Sequence, residues 1–295
     1  MKAFPIPVVA LGPGSQAEDE TLNYLSMPKD MDTYRAPPLP EPDAAAGCVK
    51  ALAALDCVLE LLDKAGRGGP GGQIHLTDLS AADRRLINQV MGEGEASAIV
   101  REERPSQALS QAVSQEVHVQ ESVFAGVWRV MHFNGGVLAE DTIEVGPVPA
   151  RLRVVAEEDA RRDWRPWIGP LPPNVQNAPL LVEEVRDQVA RWQPGQAPHV
   201  VNLTLLPVTP EDIGYLDHQL GTGRLLLLSR GYGNCRISNT RLRNCWRVVY
   251  YNSMDKVILN TVEVVDMPEV AMAAQEDLRD SHERLRDVMN CLRAA

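Results

Sequence analysis

Two stretches of the chain spell the same pattern. Ile74-His75-Leu76-Thr77, Ser80-Ala81-Ala82-Asp83 and Leu86-Ile87-Asn88-Gln89-Val90-Met91-Gly92-Glu93-Gly94 are answered by Val201-Asn202-Leu203-Thr204, Thr209-Pro210-Glu211-Asp212 and Tyr215-Leu216-Asp217-His218-Gln219-Leu220-Gly221-Thr222-Gly223. Thr209 follows Ser80 by 129 positions and Gly221 follows Gly92 by the same interval. Further on, Trp128-Arg129-Val130 matches Trp246-Arg247-Val248, and Thr142-Ile143-Glu144-Val145 matches Thr261-Val262-Glu263-Val264, followed by Pro149 and Pro268. The interval there is 118 or 119, which places an extra loop of about ten residues in the first copy, within the polar stretch Glu102 to Gln115. A repeat of this period points to two like structural units.

Each part of the pattern has a local physical reading. Ser80 with Asp83, and Thr209 with Asp212, set a hydroxyl and an acid where a helix begins, and Pro210 falls at a first helical position. Gly92 and Gly221 suit the left-handed conformation that closes a helix. Runs rich in branched and aromatic residues follow: Ala96 to Val100, Val117 to Phe133 and Val137 to Val145, then Leu225 to Leu228, Cys235 to Tyr251 and Val257 to Val265. Asn134-Gly135-Gly136 and Asn252-Ser253-Met254-Asp255 are turn clusters inside these runs. Upstream helices are marked by Cys48, Leu52, Leu55, Leu59 and Leu62, and by Leu181, Val185, Val189 and Trp192.

The expectation is an α+β chain: two tandem copies of a helix-strand-helix-antiparallel meander unit, related by a pseudo-twofold internal duplication, behind an extended N-terminal arm. The domains expected are a Pro-rich arm at 1–44, a first repeat at 45–160, a Trp/Pro-rich linker at 161–178 and a second repeat with a C-terminal helix at 179–295. Trp164 and Trp167 in the linker are expected to pack as a clamp between the halves.

At 295 residues, with 44% hydrophobic and 23% charged, the chain can bury a real core. Its net charge of -11 offers no overall positive field for phosphate backbones or anionic lipid, so nucleic acid and membrane surfaces are not expected partners. No apolar stretch approaches the roughly 20 residues of a membrane helix. The start, with one lysine and two prolines running into Glu18-Asp19-Glu20, does not read as a secretory signal, and a cytoplasmic location is expected.

Signs of chemistry are sparse. Gly92/Gly94, Gly221/Gly223 and Gly231/Gly233 do not follow a strand and open a helix, as a phosphate loop must. The five cysteines form no C-x-x-C pair; Cys48, Cys57 and Cys291 read as small hydrophobes in helices, while Cys235 and Cys245 share a hairpin region in which they could face each other. His118 and His132 near Glu121 form at most a weak metal or acid/base cluster. Glu144 and Glu263, at matching strand positions beside Trp128 and Trp246, read as solvent-facing or as held by Arg129 or Arg247. No catalytic residue, cofactor or metal site is expected. Arg230, Gly231, Tyr232, Gly233 and Arg236 have no counterpart of arginine, tyrosine and glycine in the first copy, and they are the expected partner-binding residues.

Gly92-Glu93-Gly94-Glu95, Phe124-Ala125-Gly126-Val127-Trp128-Arg129-Val130, Gly231-Tyr232-Gly233 before Trp246, and Pro268 to Leu278 leading into Asp280-Ser281 and Arg284-Leu285 resemble the HupH/HyaF (HoxQ-like) family of hydrogenase expression proteins. Leu11-Gly12-Pro13-Gly14-Ser15 extends the likeness to nearly the whole chain. The resemblance implies an accessory chaperone for the iron-sulfur small-subunit precursor of a membrane-bound uptake [NiFe] hydrogenase, acting before twin-arginine export. It implies a thioredoxin-like partner of the HupG/HyaE/HoxO type, and it brings no catalytic residues. The alternatives are an iron-sulfur or metal carrier using Cys235, Cys245 and a histidine, and a thiol-redox enzyme, which the lack of C-x-x-C disfavours.

Overall fold

The computed structural model describes residues 45, 47–103, 114–160, 167–231 and 233–294. The expected arm at 1–44, Trp164, Tyr232 and residues 104–113 of the inserted loop lie outside them. The chain divides into two compact units, the first holding residues 45–150 with 270–294, the second Arg151–Glu269.

The first unit contains α1 (Val49–Gly66), β1 (Gly72–His75), α2 (Ala81–Met91), β2 (Ala96–Glu103), β3 (Ser114–Glu121), β4 (Val127–Asn134) and β5 (Val137–Val145). The second contains α3 (Ala150–Asp159), α4 (Ala178–Arg191), β6 (His199–Asn202), α5 (Pro210–Leu220), β7 (Leu225–Ser229), β8 (Asn234–Asn239), β9 (Cys245–Tyr251) and β10 (Val257–Val264). After a 3-10 turn at Glu269–Ala271, α6 (Gln275–Arg293) returns to the first unit. The fold is α+β. Its strands run β1-β5-β4-β3-β2 in the first unit and β6-β10-β9-β8-β7 in the second, all paired antiparallel.

Each unit begins its central helix with a capping box. Ser80 Oγ accepts from the Asp83 amide at 3.1 Å, and Thr209 Oγ1 accepts from the Asp212 amide at 3.0 Å. The same aspartates also reach the preceding helix. Asp83 Oδ1 accepts from the Ala51 amide of α1, and Asp212 Oδ1 accepts from the amides of Gln176, Asn177 and Ala178 at the start of α4. One carboxylate therefore ties two helix N-termini, where partial positive charge favours it. Burial would raise Asp212, but these three amides and that of Thr209 outweigh it and hold the carboxyl below its usual range.

The two glycines of each Gly-x-Gly divide the work. Gly92 and Gly221, at φ +54 and +67, close α2 and α5. Gly94 and Gly223 let the chain pass against the next turn: a Cβ on Gly94 would stand 2.2 Å from the Ser122 carbonyl oxygen, and one on Gly223 2.2 Å from the Asn239 carboxamide. Trp128 and Trp246 are fully buried, each indole N–H donating at 3.0 Å, to the carbonyls of Gly146 and Val265. Truncating either ring to alanine would cost about 3–5 kcal/mol.

Three expectations need correction. The runs Val117 to Phe133 and Cys235 to Tyr251 each break into two strands, around Gly126 (φ +79) and Asn244 (φ +54), because Ser122 Oγ and Thr240 Oγ1 accept from the amides two residues on and bend the chain. The terminal helix, grouped above with the second repeat, packs on α1 instead: its Leu278, Leu285, Met289 and Leu292 join Ala51, Leu55, Val58 and Leu62 in the first unit's core. Conversely α3, placed above in the first repeat, belongs to the second unit, where Asp159 accepts from the Arg224 amide and guanidinium at 2.6 Å and from Asn239 at 3.0 Å.

Candidate functional site

The expected partner-binding stretch lies at the β7–β8 turn. Arg230, Gly231 and Gly233 are exposed, and Gly233 takes φ +95 with its amide donating to the Arg230 carbonyl. Arg236 stands apart from them, inside β8 opposite Val249 of β9. Strand alternation decides its neighbours. Asn234, Arg236 and Ser238 of β8 share a face with Arg247, Val249 and Tyr251 of β9 and with Asn260 and Val262 of β10, as the register pairs show. One end of this face is apolar, where Cys245, Val262 and Val264 meet Val182 and Val185 of α4 and Leu216 and Leu220 of α5. The other end is polar.

At that polar end the hydrogen bonding is incomplete. Arg247, its side chain 13% exposed, faces Asp217 of α5 across 3.5 Å through Nε, while its Nη1 is buried with no partner. Asn260, 7% exposed, has an equally unpartnered Oδ1. Such groups are uncommon in folded proteins and costly. Burial raises the Asp217 carboxyl despite the pull of Arg247. Burial also raises the Tyr251 hydroxyl, against the charges of both Arg236 and Arg247 and a hydrogen bond from Arg236. Two guanidinium groups therefore converge near one hydroxyl, in a half-covered setting suited to binding an anionic or hydrogen-bonding group of a partner. Of these residues the sequence signalled Arg236; Arg247, Tyr251, Asn260 and Asp217 were missed. A signal existed, because the repeat aligns Asn88 and Asp141 with Asp217 and Asn260, an exchange of acid and amide around matching arginines.

The other sequence candidates do not assemble into a site. Glu144 accepts from the Ala150 amide at 2.9 Å, and Glu263 accepts from Thr261 Oγ1 at 3.0 Å with its carboxyl raised by burial. Neither is held by the neighbouring arginine: Arg129 binds Asp141, and Arg247 faces Asp217, because adjacent strand residues point to opposite faces. His118 bonds Glu116 at 3.0 Å and packs on Phe133, whereas His132 is one strand position out of step with it and Glu121 sits at the far end of β3. Among the described residues no His, Cys, Asp or Glu group could hold a metal. Trp167 donates to the Pro170 carbonyl and rests against Tyr215 and His218.

The cysteine expectations change most. Cys235 lies opposite Tyr250, and Cys245 opposite Val264 at the other end of β9, so the two do not face each other. Burial pushes both thiols up to about 12. Their separation in register removes the geometry on which the carrier alternative stood, and a neutral buried thiol is a poor nucleophile. Cys57 and Cys291, read as buried hydrophobes, are exposed, since the core stripe of α1 runs through Leu55, Val58 and Leu62.

The chain is 50% identical to the hydrogenase expression/formation protein HoxQ of Cupriavidus necator, over 98% of each chain. It is 44% identical to the hydrogenase expression/formation protein HupH of Rhodobacter capsulatus, again over 98% of each. The hydrogenase-1 operon protein HyaF of Escherichia coli is 31% identical over 97% of this chain and 96% of its own. A solved HupH from Thiobacillus denitrificans matches at 23% identity with a TM-score of 0.36, covering 39% of this chain and 95% of that one. The model of the HupH hydrogenase expression protein C-terminal conserved region matches twice, at residues 49–164 and 175–292. The chain belongs to the HupH family of hydrogenase expression proteins.

Proposed function

We propose that this chain is a hydrogenase maturation chaperone, binding the iron-sulfur small-subunit precursor of a membrane-bound uptake [NiFe] hydrogenase in the cytoplasm before twin-arginine export. It works beside a thioredoxin-like accessory protein of the HupG/HyaE/HoxO type and performs no catalysis itself. The names of its near full-length relatives support the maturation role. The observation that carries the binding role is the half-covered polar face of the second unit, where Arg236, Tyr251 and Arg247 converge and hydrogen-bonding capacity is left over. No helix among the described residues is long and apolar enough to cross a membrane, which fits a protein that meets its client before export. We also read the two units as tandem copies of one ancestral unit, with Arg230 and Arg236 gained in the second.

The test is affinity copurification of the tagged chain from a hydrogenase-producing host, with mass spectrometry and metal analysis of the same eluate. Recovery of small-subunit precursor without stoichiometric metal is the expected result. Stoichiometric iron or zinc with no client bound would overturn the chaperone reading.

A further inference from the structure

We propose that the face formed by Arg236, Arg247, Tyr251 and Asn260 binds a carboxylate carried by an acidic segment of the client protein, an inference that rests on the chaperone reading. The first unit shows what is missing. There Arg129 occupies the register position of Arg247, opposite Ile143 where Arg247 is opposite Val262. Its Nε and Nη2 both donate to the Asp141 carboxylate, and its Nη1 donates to Asn88 Oδ1 at 2.8 Å. Arg84 adds a second cation 3.8 Å from that carboxylate. The arginine fork is filled, with Nε, Nη1 and Nη2 all engaged, even though Arg129 and Arg84 share the one carboxylate.

In the second unit the residue at the place of Asp141 is Asn260, and the acid has moved to Asp217 on α5. Asp217 engages the guanidinium only at 3.5 Å, and Nη1 stays buried and unpartnered. His118 of the first unit, already bonded to Glu116, is replaced by Arg236, and Phe133 by Tyr251. The second unit thus sets two guanidinium groups against one weakly engaged carboxylate, at a spot where the same scaffold elsewhere holds an internal carboxylate. An incoming carboxylate would take the place of Asp141, accepting from Arg247 Nη1 and from Arg236. The Asn260 carboxamide, turned over, presents its NH₂ to the same group. Arg236 and Tyr251 are partly exposed and give the approach.

The experiment is an NMR titration of the full chain, following the arginine Nε–H signals, with end-blocked pentaglutamate, end-blocked pentaglutamine and sodium acetate as probes. Saturable shifts at Arg236 and Arg247 with pentaglutamate alone are expected, weakened at least about tenfold in R247Q. N260D is the sharper variant, because it builds in the missing carboxylate: it should melt higher than the parent and lose pentaglutamate binding. Equal binding of pentaglutamine, binding of acetate with none of the peptide, or unchanged binding by N260D would each overturn the proposal. Copurification separates the two readings. If the parent retains the precursor and N260D also does, the site is wrong and the chaperone stands; if the parent retains none, the chaperone fails and the titration still judges the site.

Discussion

The turn after β3 and the turn after β8 share a backbone and differ in charge. In both, a glycine amide donates to the strand-end carbonyl, Gly94 to Glu121 at 2.7 Å and Gly223 to Asn239 at 2.8 Å. In the second unit the strand ends on Asn239, whose carboxamide accepts from the Leu225 amide and donates to Asp159, itself bound by Arg224. Burial would raise Asp159, yet the Arg224 amide, Asn239 and the Arg224 guanidinium hold it below its usual range. In the first unit the strand ends on Glu121, 8% exposed, which accepts from the Gly126 amide at 3.2 Å. Burial pushes it up to about 7 against the pull of the Gly126 and Ala96 amides, with Glu95 and Asp277 adding to the rise. Turn geometry is therefore set by the glycine and the Ser/Thr hydroxyl, while the strand-end side chain is free to become a matched charge or an unmatched one.

The comparison can be broken at the backbone first. G94A should cost about 4 kcal/mol or prevent folding, since its methyl meets a carbonyl oxygen, whereas G223A meets a side chain and should cost less; chemical denaturation of the two decides it. Next, D159N removes the charge that the Arg224 amide and Nε face, leaving the guanidinium with Glu158, and should lower stability by about 2 kcal/mol at neutral pH. The parent's share from Asp159 is present above the unfolded carboxylate range and fades as pH falls through the lower folded value, so the gap between parent and variant should close in acid. E121Q should act the other way, stabilising by about 1–2 kcal/mol near pH 8. Glu121 favours the fold while protonated, below its unfolded value near 4.5, and that contribution is lost as pH rises through about 7. The parent's decline over that window should therefore vanish in E121Q. The smallest effect belongs to the thiols: C57S and C291S should stay within about 0.5 kcal/mol of the parent while C245S, in the core, falls outside it.

Much of this was legible in the sequence because it depends on near neighbours. Ser80 with Asp83, Thr209 with Asp212, and the glycines twelve positions on announce a capped helix and its stop from local chemistry alone. Branched and aromatic runs announce strands. What stayed hidden depends on pairing. The apolar stripe of α6 declares that a face is buried but not against which helix, so α1 could not be named as its mate. Strand register was needed to part Cys235 from Cys245 and to bring Arg236 beside Tyr251 and Arg247. The unpartnered Nη1 and Oδ1 were invisible for the same reason, since an orphaned group is defined by what fails to arrive.

The placement of α6 also orders events in time. A ribosome synthesises the second unit, Arg151–Glu269, before it makes α6, yet the core of the first unit is lined by Leu278, Leu285, Met289 and Leu292. The half begun first is finished last, so its apolar α1 face stays uncovered until the whole of the second unit has been synthesised.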